Sequence, residues 1–303
     1  MRIAVSGATG FIGRYVLREL QARDVDIVAL TRSAPPRAIK SETFRWVALD
    51  IANAPANPYK AMGSPDVLIH LAWSGLPNYQ ASRHVEIELP TQLAFLTSCV
   101  RHGLKRLVVT GTCYEYGLAS GGLIEDTPTR PCTQYGLAKD RLRKALFDLH
   151  TQHGLDLAWL RLFYLYGKGQ SEKSLYRMLH AAIDRNAKAF DMSGGEQLRD
   201  FLPVHEAARI IVEVAQHEKL NGIFNVCSGR PIAVRELVQS WIEASGGKIA
   251  MNLGKVPYSA YEPMAFWGSR EKLDAIVDST AQPNKDTPDR PAPAPVTPST
   301  NPG

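Results

Sequence analysis

The sequence predicts an α/β fold, a doubly wound parallel sheet that carries a smaller C-terminal lobe. Three observations lead there. Short apolar runs alternate with helical patterns through the first half, a glycine turn joins the first run to the first helix, and 303 residues suit a large domain with a smaller one appended.

Arg2 to Val5 reads as a short buried strand, Gly7 to Gly13 as a turn and Tyr15 to Leu20 as an amphipathic helix, without a gap between them. Gly7 permits the tight turn, Gly10 lets the backbone approach a pyrophosphate, and Gly13 lets the helix pack on the strand. The helix start presents free N–H groups to phosphates. The whole turn, Thr9, Phe11 and Ile12 included, is therefore expected to hold a dinucleotide, although a glycine turn in another α/β protein would read the same way.

Asp26 to Leu30 is the second strand, and the residue at its end normally meets the adenosine ribose. Here that end is Thr31-Arg32, and neither side chain is acidic. Arg32 can pair with a 2′-phosphate, a contact worth about 1.5–3 kcal/mol. NADPH is thus expected in preference to NADH, against the alternative of a solvated surface arginine.

Arg45 to Leu49, Val67 to Ala72 and Arg106 to Thr110 read as further buried parallel strands. Asp50-Ile51 and His70-Leu71-Ala72-Trp73 then fall at the carboxyl edge of the sheet, where ligands bind. Asp50 is expected to accept from the adenine amino group, and Ile51, Leu71 and Ala72 to line the cofactor. Trp73 is placed toward the substrate. His70 is read as structural, because no partner for it is visible in the sequence.

Ala138, Leu142, Ala145, Leu146 and Leu149 recur at three- and four-residue spacing, so this segment is a helix with one buried face. Tyr135 and Lys139 lie one turn apart on it. A phenol with a pKa of about 10 is a poor acid–base group at neutral pH, and an ammonium nearby is expected to lower that value. Lys139 would also donate to a cofactor ribose, and Thr112, ending the fifth strand, would hold a substrate oxygen. A Tyr/Lys pair on a solvated helix is common; the glycine turn upstream gives this one its meaning, which is redox chemistry on a carbonyl.

In the second half, Trp159 to Leu162 continues the sheet, Leu175 to Ala189 crosses to the smaller lobe, and Val234, Leu237, Val238, Trp241 and Ile242 make an amphipathic helix there. His205 to Gln216 and Gly222 to Cys227 return to the first domain. The expected division is 1–165 with 200–230 for the dinucleotide, and 166–199 with 231–278 for the substrate. From Ser279 to Gly303, Pro, Thr, Asn and charge dominate, so a disordered tail is expected. The net charge of +5 is modest and no long basic run occurs, which argues against nucleic acid. The four cysteines (Cys99, Cys113, Cys132, Cys227) lack metal-ligand spacing. Without a signal peptide or a long apolar stretch, no membrane role is expected; a cytoplasmic protein with reduced thiols is the simplest inference.

Gly7 to Gly13, Thr112 with Tyr116-Gly117, Tyr135 with Lys139, Arg161-Leu162-Phe163, Arg199 to Val204 and Phe224 to Gly229 together resemble the extended short-chain dehydrogenase/reductases, the NAD-dependent epimerase/dehydratase family with its Rossmann fold. Leu165 to Gln170, Met192 to Asp200 and Glu262 to Gly268 resemble, within it, bacterial reductases of nucleotide-linked 4-keto-6-deoxyhexoses. The resemblance implies Thr112, Tyr135 and Lys139 as catalytic residues and Arg199 as a contact of the sugar-nucleotide diphosphate. A structural pairing of Arg199 with Asp200 or another carboxylate is the alternative. It also implies that Phe163 and Tyr164 line the nicotinamide and substrate pocket, and that the partner is a dTDP-, GDP- or CDP-linked hexose bound by a homodimer. Related 4,6-dehydratases carry Asp-Glu directly after the catalytic threonine, where this chain has Cys113-Tyr114, so those two residues are placed at the substrate. Glu115, one residue further along backbone expected to be extended, would point away; dehydration is not expected. Glu88 and Tyr164 replace two asparagines common in the family. The implied activity is hydride transfer to C4 with a proton from Tyr135, with 4-epimerisation as the alternative. A non-catalytic redox sensor of this fold is a third reading, which the Tyr/Lys pair disfavours.

Overall fold

A computed structural model describes residues 1–32, 42–217 and 220–280. The chain begins β1 (Arg2–Ser6), α1 (Phe11–Gln21), β2 (Asp26–Thr31), β3 (Phe44–Ala48), α2 (Pro58–Ala61), β4 (Val67–His70), α3 (Leu89–Arg101), β5 (Arg106–Thr112). It continues with β6 (Gly121–Leu123), α4 (Gln134–His153), β7 (Asp156–Leu162), β8 (Tyr164–Tyr166), α5 (Leu175–Asp184) and β9 (Ala189–Asp191). The remainder forms β10 (Leu198–Pro203), α6 (Val204–Gln216), β11 (Gly222–Val226), β12 (Pro231–Ala233), α7 (Val234–Ala244), β13 (Ala250–Asn252), β14 (Phe266–Gly268) and α8 (Glu271–Thr280).

Seven parallel strands make the main sheet in the order β11-β7-β5-β4-β1-β2-β3. The chain winds one way from β1 to β3 and the other way from β4 to β11. The carboxyl ends of β1 and β4 therefore flank a crevice, the place where open α/β sheets bind ligands. Helices cover both faces, which is why the strands read as unbroken Val, Ile and Leu. Leu17, Ile211 and Val214 pack with Ile3 and Val5 on one face. Phe95, Leu96, Leu142 and Leu146 pack with Leu68 and Leu107 on the other. Each such side chain removed from water contributes about 1.5–3 kcal/mol.

A smaller group lies beyond β7. β8, β10 and β12 form a three-stranded sheet, and α5 and α7 bury Leu179, Val238 and Trp241 against Phe190. α6 packs on α1, and β11 forms one edge of the main sheet.

Two local expectations change. β4 ends at His70 rather than Ala72: the Leu71 N–H is shared between the Ser6 carbonyl and hydroxyl (both 3.2 Å), the Ala72 N–H goes to that hydroxyl alone (3.4 Å), and the chain leaves the sheet to wall the crevice. α8 reaches Thr280, so Ser279 and Thr280 are helical instead of opening a tail; residues 281–303 lie outside the described residues.

Candidate active site

The glycine turn meets the start of β4's loop with no room to spare. Gly7 has φ +69°, and a Cβ on it would stand 2.8 Å from the Ala72 nitrogen; one on Gly13 would stand 2.2 Å from the Gly7 oxygen. No side chain caps α1, so its first N–H groups, those of Phe11 and Ile12 among them, remain for a ligand's phosphates. Gly7, Thr9, Gly10, Arg32, Asp50, Ile51, Leu71, Ala72 and Trp73 all border one cavity of about 400 Å³. That shape and that helix terminus fit a dinucleotide. Arg32 is exposed at the wall. The Asp50 oxygens accept from Ala52 N (3.2 Å) and Asn53 Nδ2 (2.8 Å), so this carboxylate caps its own turn while facing the cavity.

His70 is structural, but not for want of partners. Its ring nitrogens meet the Ser6 hydroxyl (2.9 Å) and Gln92 Oε1 (2.8 Å), and burial pulls its pKa down to about 3. Glu88, at the replaced asparagine, is buried on the same wall and accepts from Ser74 N (3.2 Å) and Arg83 Nη2 (2.9 Å).

Thr133 caps α4 by accepting from Gly136 N, which sets Tyr135 in the first turn. The Tyr135 N–H donates to the Tyr79 carbonyl (3.0 Å), and the Thr112 hydroxyl favours the ionised phenol, against the larger effect of burial. Trp73, Tyr79, His84 and Tyr114 enclose its ring, with centroids 5.4–6.4 Å away. His84 fixes Trp73 by accepting from its indole N–H (3.1 Å). Lys139 donates to the Thr110 carbonyl (2.8 Å) and lies 4.1 Å from the Trp73 ring centroid.

This environment reverses one expectation. Burial pushes the Tyr135 phenol well above its ordinary value instead of Lys139 pulling it down, while burial lowers Lys139 to about 7. The ammonium faces a carbonyl and an indole, 6.0 Å from the centre of the phenol ring, and desolvation of the phenol outweighs its pull.

A second cavity of about 400 Å³ opens on the far side of Tyr79, bordered by Tyr164, Arg199, Phe201, Trp241 and Glu262. Arg199 donates to Leu198 O (2.9 Å) and Met264 O (3.3 Å) and pairs with Glu262 (3.4 Å). A carboxylate partner therefore exists, and it is not Asp200, which instead accepts from Ser228 N (2.6 Å) and Gly229 N (2.9 Å). The Tyr114 and Tyr164 hydroxyls both donate to Glu262 Oε1, at 2.5 and 2.7 Å. Sequence reasoning did not single out Glu262, Tyr79 or His84.

Cys113 and Phe163, expected at the substrate and the nicotinamide, turn inward. They pack together with Tyr116, Leu123, Cys227 and Phe266, because residues 113–116 form a 3-10 turn rather than extended chain. The same turn carries Glu115 into the core, where it accepts from Thr112 N (2.9 Å), Trp159 Nε1 (3.0 Å) and Arg161 Nε (2.8 Å). The pattern Thr112-x-x-Glu115 is a capping box, and that signal was readable in the sequence. A wider concavity, about 990 Å³ beside Arg209 and Arg270, is bordered by neither Tyr135 nor Lys139; both arginines are paired there with carboxylates, so size does not mark the site.

Residues 3–227 match the family model described as NAD dependent epimerase/dehydratase family. The chain belongs to that family. Among its relatives, the dTDP-6-deoxy-L-talose 4-dehydrogenase (NAD(+)) of Aggregatibacter actinomycetemcomitans is 31% identical over 272 residues, 89% of this chain and 100% of the relative. The dTDP-6-deoxy-L-talose 4-dehydrogenase (NAD(P)(+)) of Kitasatospora kifunensis is 29% identical, covering 91% and 88%. The fold is shared with UDP-glucuronic acid 4-epimerase from Bacillus cereus, solved with UDP-glucuronic acid and NAD (TM-score 0.79, 22% identity, 93% and 94% covered). Members of this family are enzymes, and here Tyr135 of α4 touches Trp73 of the first cavity and Tyr79 of the second. Among the described residues no helix is long and apolar enough to cross a membrane, and no group of three or more His, Cys, Asp or Glu could hold a metal.

Proposed function

We propose that this enzyme reduces the C4 ketone of a nucleotide-linked 4-keto-6-deoxyhexose, with NADPH as donor. The observation that carries the reading is the position of Tyr135. It stands between Trp73, which walls the dinucleotide cavity, and Tyr79, which walls the second cavity. A ketone oxygen lodged at Thr112 would be within reach of that phenol. When bound, the nicotinamide supplies the hydride. Tyr135, kept protonated by burial, gives its proton to the developing alkoxide, and the Thr112 hydroxyl steadies the oxygen. Lys139 offers the positive charge that the departing proton leaves unbalanced. The two dTDP-6-deoxy-L-talose 4-dehydrogenase relatives support a redox step at C4.

The test is incubation of the purified protein with NADPH and a panel of 4-keto-6-deoxyhexose nucleotides, a dTDP-linked one first, followed by NMR of the product. One NADPH consumed per alcohol formed is the expected result. Product without consumption would make the enzyme an epimerase, and no product would end the reading.

Arg32 supports NADPH as the donor, since it borders the cavity at the end of β2 where no acidic side chain stands. Arg32→Ala should lower the NADPH/NADH ratio of kcat/KM about ten- to a hundredfold. Steady-state kinetics with both donors measure it; a wild-type enzyme that prefers NADH overturns the assignment.

A further inference from the structure

Glu262 brings a negative charge into the second cavity, beside the site of reaction. Its side chain is only 16% exposed, and the Tyr114 that donates to it lies ring-to-ring with Tyr135, 6.4 Å between centroids. One side chain thus separates the carboxylate from the proton donor. Three donors converge on it: the phenols of Tyr114 and Tyr164 on Oε1, and Arg199 on Oε2. A carboxylate has about four acceptor positions, so room remains for a further donor such as a sugar hydroxyl.

The donors nearest Glu262 are already engaged. Burial raises both phenols well above their ordinary values, and their protons already go to Glu262. Arg199 is divided between two backbone carbonyls and Glu262. The other cation on the cavity wall, Lys173, is exposed at the rim. A ring carboxylate entering here would meet a like charge on a side chain that is itself largely withdrawn from water, where screening is reduced.

We propose that Glu262 is a specificity residue, which admits uncharged hexose rings to this cavity and rejects hexuronates. This rests on the reading that the sugar of a sugar nucleotide occupies the second cavity. The attractive part is the acceptor left for a hydroxyl, and the repulsive part is the charge itself.

The experiment compares two ligands that share base and diphosphate, dTDP-glucose and dTDP-glucuronate, by calorimetric titration of the full chain in the presence of NADP⁺. The wild-type protein should bind dTDP-glucose at least about tenfold more tightly. Glu262→Gln should bring the two affinities within about threefold, while any gain from a freed Arg199 acts on both diphosphates alike and cancels in the ratio. Equal affinities in the wild type, or a ratio that survives Glu262→Gln, overturn the proposal and leave the sugar-nucleotide reading intact. Binding of neither ligand overturns both. Should Glu262→Gln fail to fold, as a melting curve would show, the wild-type ratio alone decides.

Discussion

Tyr135→Phe should lower the turnover of ketone reduction about 100- to 10,000-fold, the usual loss when a positioned acid is removed. The substitution deletes one oxygen. The ring keeps its edge-to-face contacts with Trp73 and His84 and the backbone bond to Tyr79, so the dinucleotide crevice is undisturbed. Affinity for NADPH, read by fluorescence titration, should therefore stay within about twofold of wild type, and the loss should fall on kcat. Equal kcat in the variant would remove Tyr135 from the chemistry. The neighbouring lysine sets the pH dependence. Its pKa is lowered to about 7, so the ammonium is present below pH 7 and lost as pH rises through it. Below 7 that charge offsets the phenolate formed as Tyr135 gives up its proton; above 7 it does not. Reduction should accordingly slow as pH rises through about 7, and Lys139→Met should abolish that limb of the profile while lowering the rate.

The main sheet and the glycine turn were legible because their signals are local. Runs such as Val67 to Ile69 or Leu107 to Val109 are apolar on both faces, which a parallel strand covered by helices requires. The pairing of Tyr135 with Lys139 followed from helix geometry alone. The electrostatics did not, because they depend on groups from other elements: the Thr110 carbonyl of β5, the Trp73 ring beyond β4, and the Tyr79 loop that seals the phenol from water. Glu262 was out of reach for the same reason. It lies 63 residues from Arg199 and 148 from Tyr114, brought there by the bridge between Leu198 and Ala265. The turn after Thr112 is a different kind of miss. Its capping box was written in the chain, and an extended reading was simply carried through Glu115, past the end of β5 at Thr112.

That turn also carries a large stability effect. Glu115 is fully buried, and it satisfies the Thr112 N–H, the Trp159 indole N–H and the Arg161 guanidinium at once. Arg161 itself is 1% exposed, bonded also to the Tyr116 hydroxyl and the Glu125 carbonyl. Glu115→Ala would leave the Arg161 guanidinium without its counter-charge, and its Nε–H and two further N–H donors without their acceptor, inside the sheet. Removing one partner of a buried pair costs about 3–5 kcal/mol, enough to unfold much of a marginally stable enzyme. Glu115→Gln is the more informative variant, since its amide oxygen can still accept from Thr112 while the charge opposite Arg161 is gone. It should fold, melt several degrees lower in a thermal scan, and lose activity in step with any displacement of Thr112, the residue whose backbone Glu115 holds. A Gln variant with wild-type melting temperature would mean that the Tyr116 hydroxyl and the Glu125 carbonyl suffice for Arg161, and that Asp140 suffices for Arg143, 3.5 Å from the same carboxylate. The pair would then be a matter of packing rather than of ionic strength in the core.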